Sequence, residues 1–129
     1  MADDDIALMA HLARRAGFGA TRDELEEYAS KGYETVVDEL LHPERFPGVE
    51  DDLVGRFYLG AILDGAIETE SQQWFYRMVN TRRPLQEKIA LFWHHVFATA
   101  WYKSEQNPDM VRQIHMFRRN GLSHMRTIL

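Results

Sequence analysis

The sequence contains no cysteine. That excludes disulfide staples, thiolate metal sites and a cysteine nucleophile, and it fits a reducing compartment. A secretory leader is also missing: "MADDDIALMAHLARRAG" begins acidic where a leader would be basic, and its apolar residues are interrupted. The most apolar window, residues 89–102, is broken by two histidines and falls short of the roughly 20 residues that span a bilayer. We therefore expect no membrane span and a cytoplasmic location. No alternating β-branched segment, internal repeat or low-complexity tract occurs. Walker loop, Gly-x-Ser-x-Gly elbow, Rossmann fingerprint and zinc-protease motif are all lacking. "GFGAT" is no dinucleotide turn, because no strand precedes it.

What is present suits one helical domain over residues 1–129. Of the 129 residues, 45% are hydrophobic and 12% aromatic, enough apolar surface for a core and too much for disorder. The net charge of −5 conceals an asymmetry. Residues 1–70 carry a balance of −11 and residues 71–129 a balance of +6. The basic half either meets an acidic partner, nucleic acid or phosphate, or packs against the acidic half. Without a clustered Lys/Arg run or an RNA-binding signature, packing is the preferred reading and nucleic acid is not the expected partner.

Every strong local signal is helical. Asp4 or Asp5 can cap a first helix carrying Ile6, Leu8, Met9 and Leu12, with Gly17 as a left-handed stop. Thr21 and Glu24 have capping-box spacing and open a second helix that stops near Gly32. "YETVVDELL" presents Val36, Val37, Leu40 and Leu41 and ends before Pro43. The loop over residues 42–52, with two prolines and a glycine, is a possible sub-boundary. Residues 53–67 form a fourth, glycine-containing helical stretch, and Ser71 caps a fifth helix. "TRRP" ends it, and Pro84 suits the first turn of a sixth that reaches about Thr99. Asn107, Pro108 and Asp109 restart a helix that runs to Phe117, Gly121 interrupts it, and Ser123 caps a last piece. The fold expected is all-α, an irregular bundle of about seven short helices with no sheet. The chain stops inside an apolar helical pattern, so we expect a chain cut short or one continued by another polypeptide.

Candidate chemistry centres on "EKIALFWHHVFAT". On a wheel of about 100° per residue, Ile89, Phe92, Trp93, Val96 and Ala100 form one apolar stripe, expected to be buried. His94 and His95 point away from it and from each other, so they cannot chelate one ion together. The helix is apolar almost all round, as a central helix is. His94 is then either a core histidine bonded to a carboxylate or carbonyl, or a functional imidazole acting as metal ligand or general base. The core reading is preferred, and His95 is expected at the surface. His11, Arg15, Glu87 and His94 are the candidates for a buried polar or functional network, with no metal assigned and the cofactor unknown. Arg82 and Arg83 at a helix junction, and Arg118 and Arg119 at a helix end, are candidate anion binders through bidentate guanidinium contacts. Arginines at a helix C-terminus are also favourable through the dipole alone.

Three segments together carry a resemblance: "HLARRAGFGATRDELEEYASKGYETVVDELL", "WFYRMVNTRRPLQEKIALFWHHVFAT" and "MFRRNGLSHMRTIL". They resemble the start of the bacterial domain-of-unknown-function family 1800. His11, Arg15, Arg82, Arg83, Glu87, Lys88, Trp93, His94 and Arg118 match its recurrent motif. Members are several times longer, which implies an N-terminal portion here, and they are often encoded beside a second uncharacterised family, which implies a protein partner. The family commonly has Trp-His-x-His-Phe; here Val96 stands at the second histidine position, which weakens a metal reading. The function expected is that of an uncharacterised helical module acting through packing and contacts with a protein partner or with the remainder of its chain. The alternatives are an enzyme domain, a hydrolase or metal-dependent one, that uses His94 and arginines with residues beyond the chain end, or anion or nucleic-acid binding by the basic half.

Overall fold

Local capping chemistry and apolar periodicity set the helices of this chain. The computed structural model describes residues 2–50, 56, 67–97 and 107–129. Among them lie α1 (Ala2–Ala16), α2 (Arg22–Lys31), α3 (Tyr33–Leu41), a 3-10 turn (Pro43–Arg45), α4 (Ile67–Asn80), α5 (Pro84–Val96), α6 (Asn107–Asn120) and α7 (Met125–Ile128). No strand occurs among the described residues, so the protein is all-α. The expected helix over residues 53–67 and the loop after Tyr102 lie almost wholly outside the described residues.

Two starts follow the sequence reading closely. Thr21 and Glu24 form a full capping box: the Thr21 N–H donates to Glu24 Oε2 at 2.7 Å, and the Glu24 N–H reaches Thr21 Oγ1 at 3.4 Å. Pro84 occupies the first turn of α5, where its missing N–H costs nothing. Gly32 ends α2 at φ 85°, ψ 152°, backbone that is essentially glycine's alone.

Four expected details are corrected. Gly17 is not a left-handed stop; the positive φ belongs to Gly19, at 103°. Gly17 is needed for closeness instead, because a Cβ there would meet Pro84 Cβ at 2.9 Å. Asp4 and Asp5 are not caps but lie in the first turn of α1, which starts at Ala2; there they face the positive end of the helix dipole. Ser71 lies inside α4, because the helical run already includes Ile67 to Glu70. Ser123 is not the final cap: its N–H closes the turn after α6 on Asn120 O at 2.8 Å, and His124 precedes α7.

The described helices make two packed regions. α1, α2 and α3 enclose Met9 and Val36, while Leu41, expected on the apolar face, is exposed. α5 touches α1, α3, α4 and α6, which makes it the central helix, and α6 is its most extensive neighbour. Between α5, α6 and α7 lies the main core of Ala90, Phe117 and Ile128, flanked by Trp74, Trp93, Phe97 and Met116. Trp93, Phe97 and Phe117 stack in sequence, with centroids 5.7 and 5.9 Å apart. Gly121 seals this core: its carbonyl accepts from Trp93 Nε1 at 2.9 Å, and a Cβ would lie 2.7 Å from Ile89 Cγ2.

The buried line of α5 is rotated from the expected stripe. Phe92 is 51% and Val96 49% exposed, whereas Glu87 and Ala90 are buried. Ile89 and Trp93 are half-buried, and Ala100 lies outside the described residues. The wheel ranked faces by apolarity alone, whereas the buried line passes through Glu87, a candidate for a buried polar network. A partner on α6 accounts for that burial.

Candidate functional site

That partner is Arg118. Its Nε donates to Glu87 Oε1 at 2.6 Å, while Trp74 Nε1 donates to Glu87 Oε2 at 3.1 Å. Side-chain exposure is 14% for Arg118 and 5% for Glu87. Burying a carboxylate this deep is costly unless it is paired and hydrogen-bonded, and both of its oxygens are engaged. Arg118 Nη1 also contacts His115 Nδ1 at 3.1 Å. Guanidinium nitrogens only donate, so His115 presents a lone pair there and carries its proton on Nε2.

Beside this pair opens a cleft of about 480 Å³. Arg77 of α4 forms one wall, and Arg83, Gln86 and Glu87 at the start of α5 form the floor. Arg112, His115, Arg118 and Arg119 of α6 form another side, and Gly48 and Val49 close one end. Two arginines hold that end in place. Arg77 Nη1 donates to Val49 O at 2.7 Å, and Arg83 donates to Phe46 O through Nε, at 2.7 Å, and through Nη2. The Arg83 N–H in turn bonds Thr81 Oγ1 at 2.9 Å. The residues 42–52, read as a loop and a break, are thus tied through their middle to α4 and to the start of α5.

The described lining carries five guanidinium groups and one carboxylate. Glu87 offsets Arg118 directly. Arg112 pairs with Asp109 at 3.1 Å, but both side chains are largely exposed, so water screens that pair. Low-dielectric walls with an excess of one sign focus the field into a cleft and concentrate counter-ions there.

His94 sits two turns beyond Glu87 on α5, and its ring meets Trp74 edge-on with centroids 5.3 Å apart. Its Nδ1 is buried and finds no hydrogen-bond partner among the described residues, which departs from the expected carboxylate or carbonyl bond. Burial, and then the neighbouring His95, push its pKa below the ordinary imidazole value. Trp74 therefore links Glu87 and His94 of α5, giving its indole N–H to the first and its ring to the second. No cluster of three or more His, Asp or Glu side chains suited to a metal ion occurs among the described residues.

Among the residues picked from sequence, Arg83, Arg118 and Arg119 come together with Glu87 around the cleft. Arg82 is exposed and lines no part of it, and His11 and Arg15 are exposed on α1, away from it. His95 is exposed, as expected. Arg77, Arg112 and His115 were missed. A signal for the last two was available, because Arg112, His115 and Arg119 recur at three- and four-residue steps on one helix face. Arg77 stands alone in "WFYRMVN" and carries no such pattern.

A protein-family model described as a protein of unknown function (DUF1800) matches residues 11–129. No curated protein and no solved structure matches the chain.

Proposed function

The chain belongs to the DUF1800 family of proteins of unknown function, and we propose that this helical module binds an anionic group in its arginine-lined cleft. The observation carrying this reading is the convergence of five arginines from α4, α6 and the turn before α5 on one concave site with a single carboxylate among its described lining residues. Guanidinium groups suit carboxylate and phosphate oxygens, which they engage through paired N–H donors. Glu87 anchors Arg118, and the exposed Arg112 and Arg119 are the arginines offered to the ligand.

The test is thermal unfolding with orthophosphate or sulfate added at constant ionic strength. Ligand that binds only the folded chain raises Tm. Arg112 and Arg119 are exposed, so Arg112→Ala with Arg119→Ala should leave the packing intact and shrink the rise in Tm. An equal rise in this double variant, or no rise in the original chain, would refute the proposal.

A second reading, contact with a protein partner, is favoured by α4. Phe75 and Val79 lie one turn apart and are each 67% exposed. Apolar side chains paired in this way on a helix suit a docked surface better than water. This reading expects an apolar dye to bind the chain and Phe75→Glu to remove the signal. Absence of dye binding to the original chain counts against it.

A further inference from the structure

We infer that the cleft selects a compact, multiply charged anion without an aromatic ring, such as a phosphorylated sugar or polyol or a polycarboxylate. This rests on the anion-binding reading above and narrows its ligand class.

The size of the site argues for a small molecule. About 480 Å³ lies within the range of small-molecule sites and suits an occupant held on several sides rather than a strand running through. The charge argues for several negative groups. Five guanidinium groups face one carboxylate among the described lining residues. Arg83 comes from the turn before α5, and Arg112 and Arg119 come from α6. A monoanion can meet one of these arginine groups, whereas a ligand with separated charges can meet both.

The lining argues against a nucleobase. No phenylalanine, tyrosine or tryptophan lines the cleft among the described residues, and Val49 is the one large apolar side chain there. Sites for bases and single strands use aromatic platforms on which each base stacks, or an apolar slot. Here the remaining groups are polar: the Thr81 hydroxyl and the Gln86 amide suit hydroxyl or carboxylate groups of a ligand.

Calorimetric titration of the full 129-residue chain at fixed ionic strength tests this with six probes: acetate, orthophosphate, pyrophosphate, citrate, tripolyphosphate and ATP. Pyrophosphate should bind at least about tenfold more tightly than orthophosphate, and citrate at least about tenfold more tightly than acetate. Tripolyphosphate and ATP, which share a phosphate chain and differ by the nucleoside, should agree within about threefold. Arg119→Ala should weaken citrate binding, and Arg126→Ala, exposed on α7 outside the cleft, should not. If ATP, or an oligothymidylate added as a seventh probe, binds about tenfold more tightly than tripolyphosphate, the site takes bases and the inference fails. If acetate matches citrate and orthophosphate matches pyrophosphate, anion binding stands and the polyanion class falls. If no probe binds, the anion-binding proposal itself fails.

Discussion

Glu87 shows how a side chain can be expected in a buried network while its partner stays illegible. Its position in the first turn of α5 was legible, and so was its two-turn spacing from His94. Its place in a buried polar network was expected too, but its partner was not, because Arg118 lies 31 residues later on another helix. Sequence spacing orders residues within a helix but leaves unknown which neighbouring helix supplies a counter-charge. Arg118→Met should therefore cost about 3–5 kcal/mol in urea unfolding, since it strands a buried carboxylate. Gly121 presents a steric limit of the same scale. A methyl group there would lie 2.5 Å from Phe117 O and 2.7 Å from Ile89 Cγ2. Gly121→Ala should lower stability by about 1–3 kcal/mol, as overpacking does. Gly48→Ala, whose nearest contact is the Arg83 guanidinium at 3.6 Å, should be near neutral by the same measurement.

Helices were legible wherever their ends carry their own chemistry. Thr21 with Glu24 and Pro84 act within one turn, so sequence suffices for them. Thr21→Ala removes the cap of α2 and should cost about 1 kcal/mol, read as a drop in Tm. Rotation about the helix axis was the harder quantity. The wheel for α5 turned Phe92 and Val96 inward, yet α4 and α6 pack along the line of Glu87, Ala90 and Phe97. A helix apolar on nearly every side leaves the choice of buried face to its neighbours. Gly17 makes the same point at a junction. Its role depends on Pro84, which is distant in sequence and adjacent in space.

Across the whole molecule, charge is divided along the chain. The described ion pairs of the acidic half, such as Arg22–Glu26 and Arg45–Asp38, and those of the basic half, such as Arg118–Glu87, each stay within their own half. The asymmetry was visible in composition; its gathering into one cleft was not, since Arg77, Arg83 and Arg112 become neighbours only through packing. Acid should destabilise the fold partly through His94. Its folded-state pKa lies below 6.5 through burial and the nearby His95. The unfolded chain therefore takes up a proton first as pH falls, and stability drops from about pH 7 toward the lower folded value. Glu70, raised by burial, acts in the opposite sense: the folded chain keeps a proton there that the unfolded chain releases. His94→Leu should flatten the fall in Tm between about pH 7 and pH 5; an unchanged slope would show that other groups set it. Trp74 adds an optical consequence. Its indole N–H is fixed to the carboxylate that Arg118 also holds, and indole emission shifts with the electric field across the ring. Any ligand that draws Arg118 away from Glu87 changes that field, so the protein carries its own fluorescent reporter one hydrogen bond from the cleft.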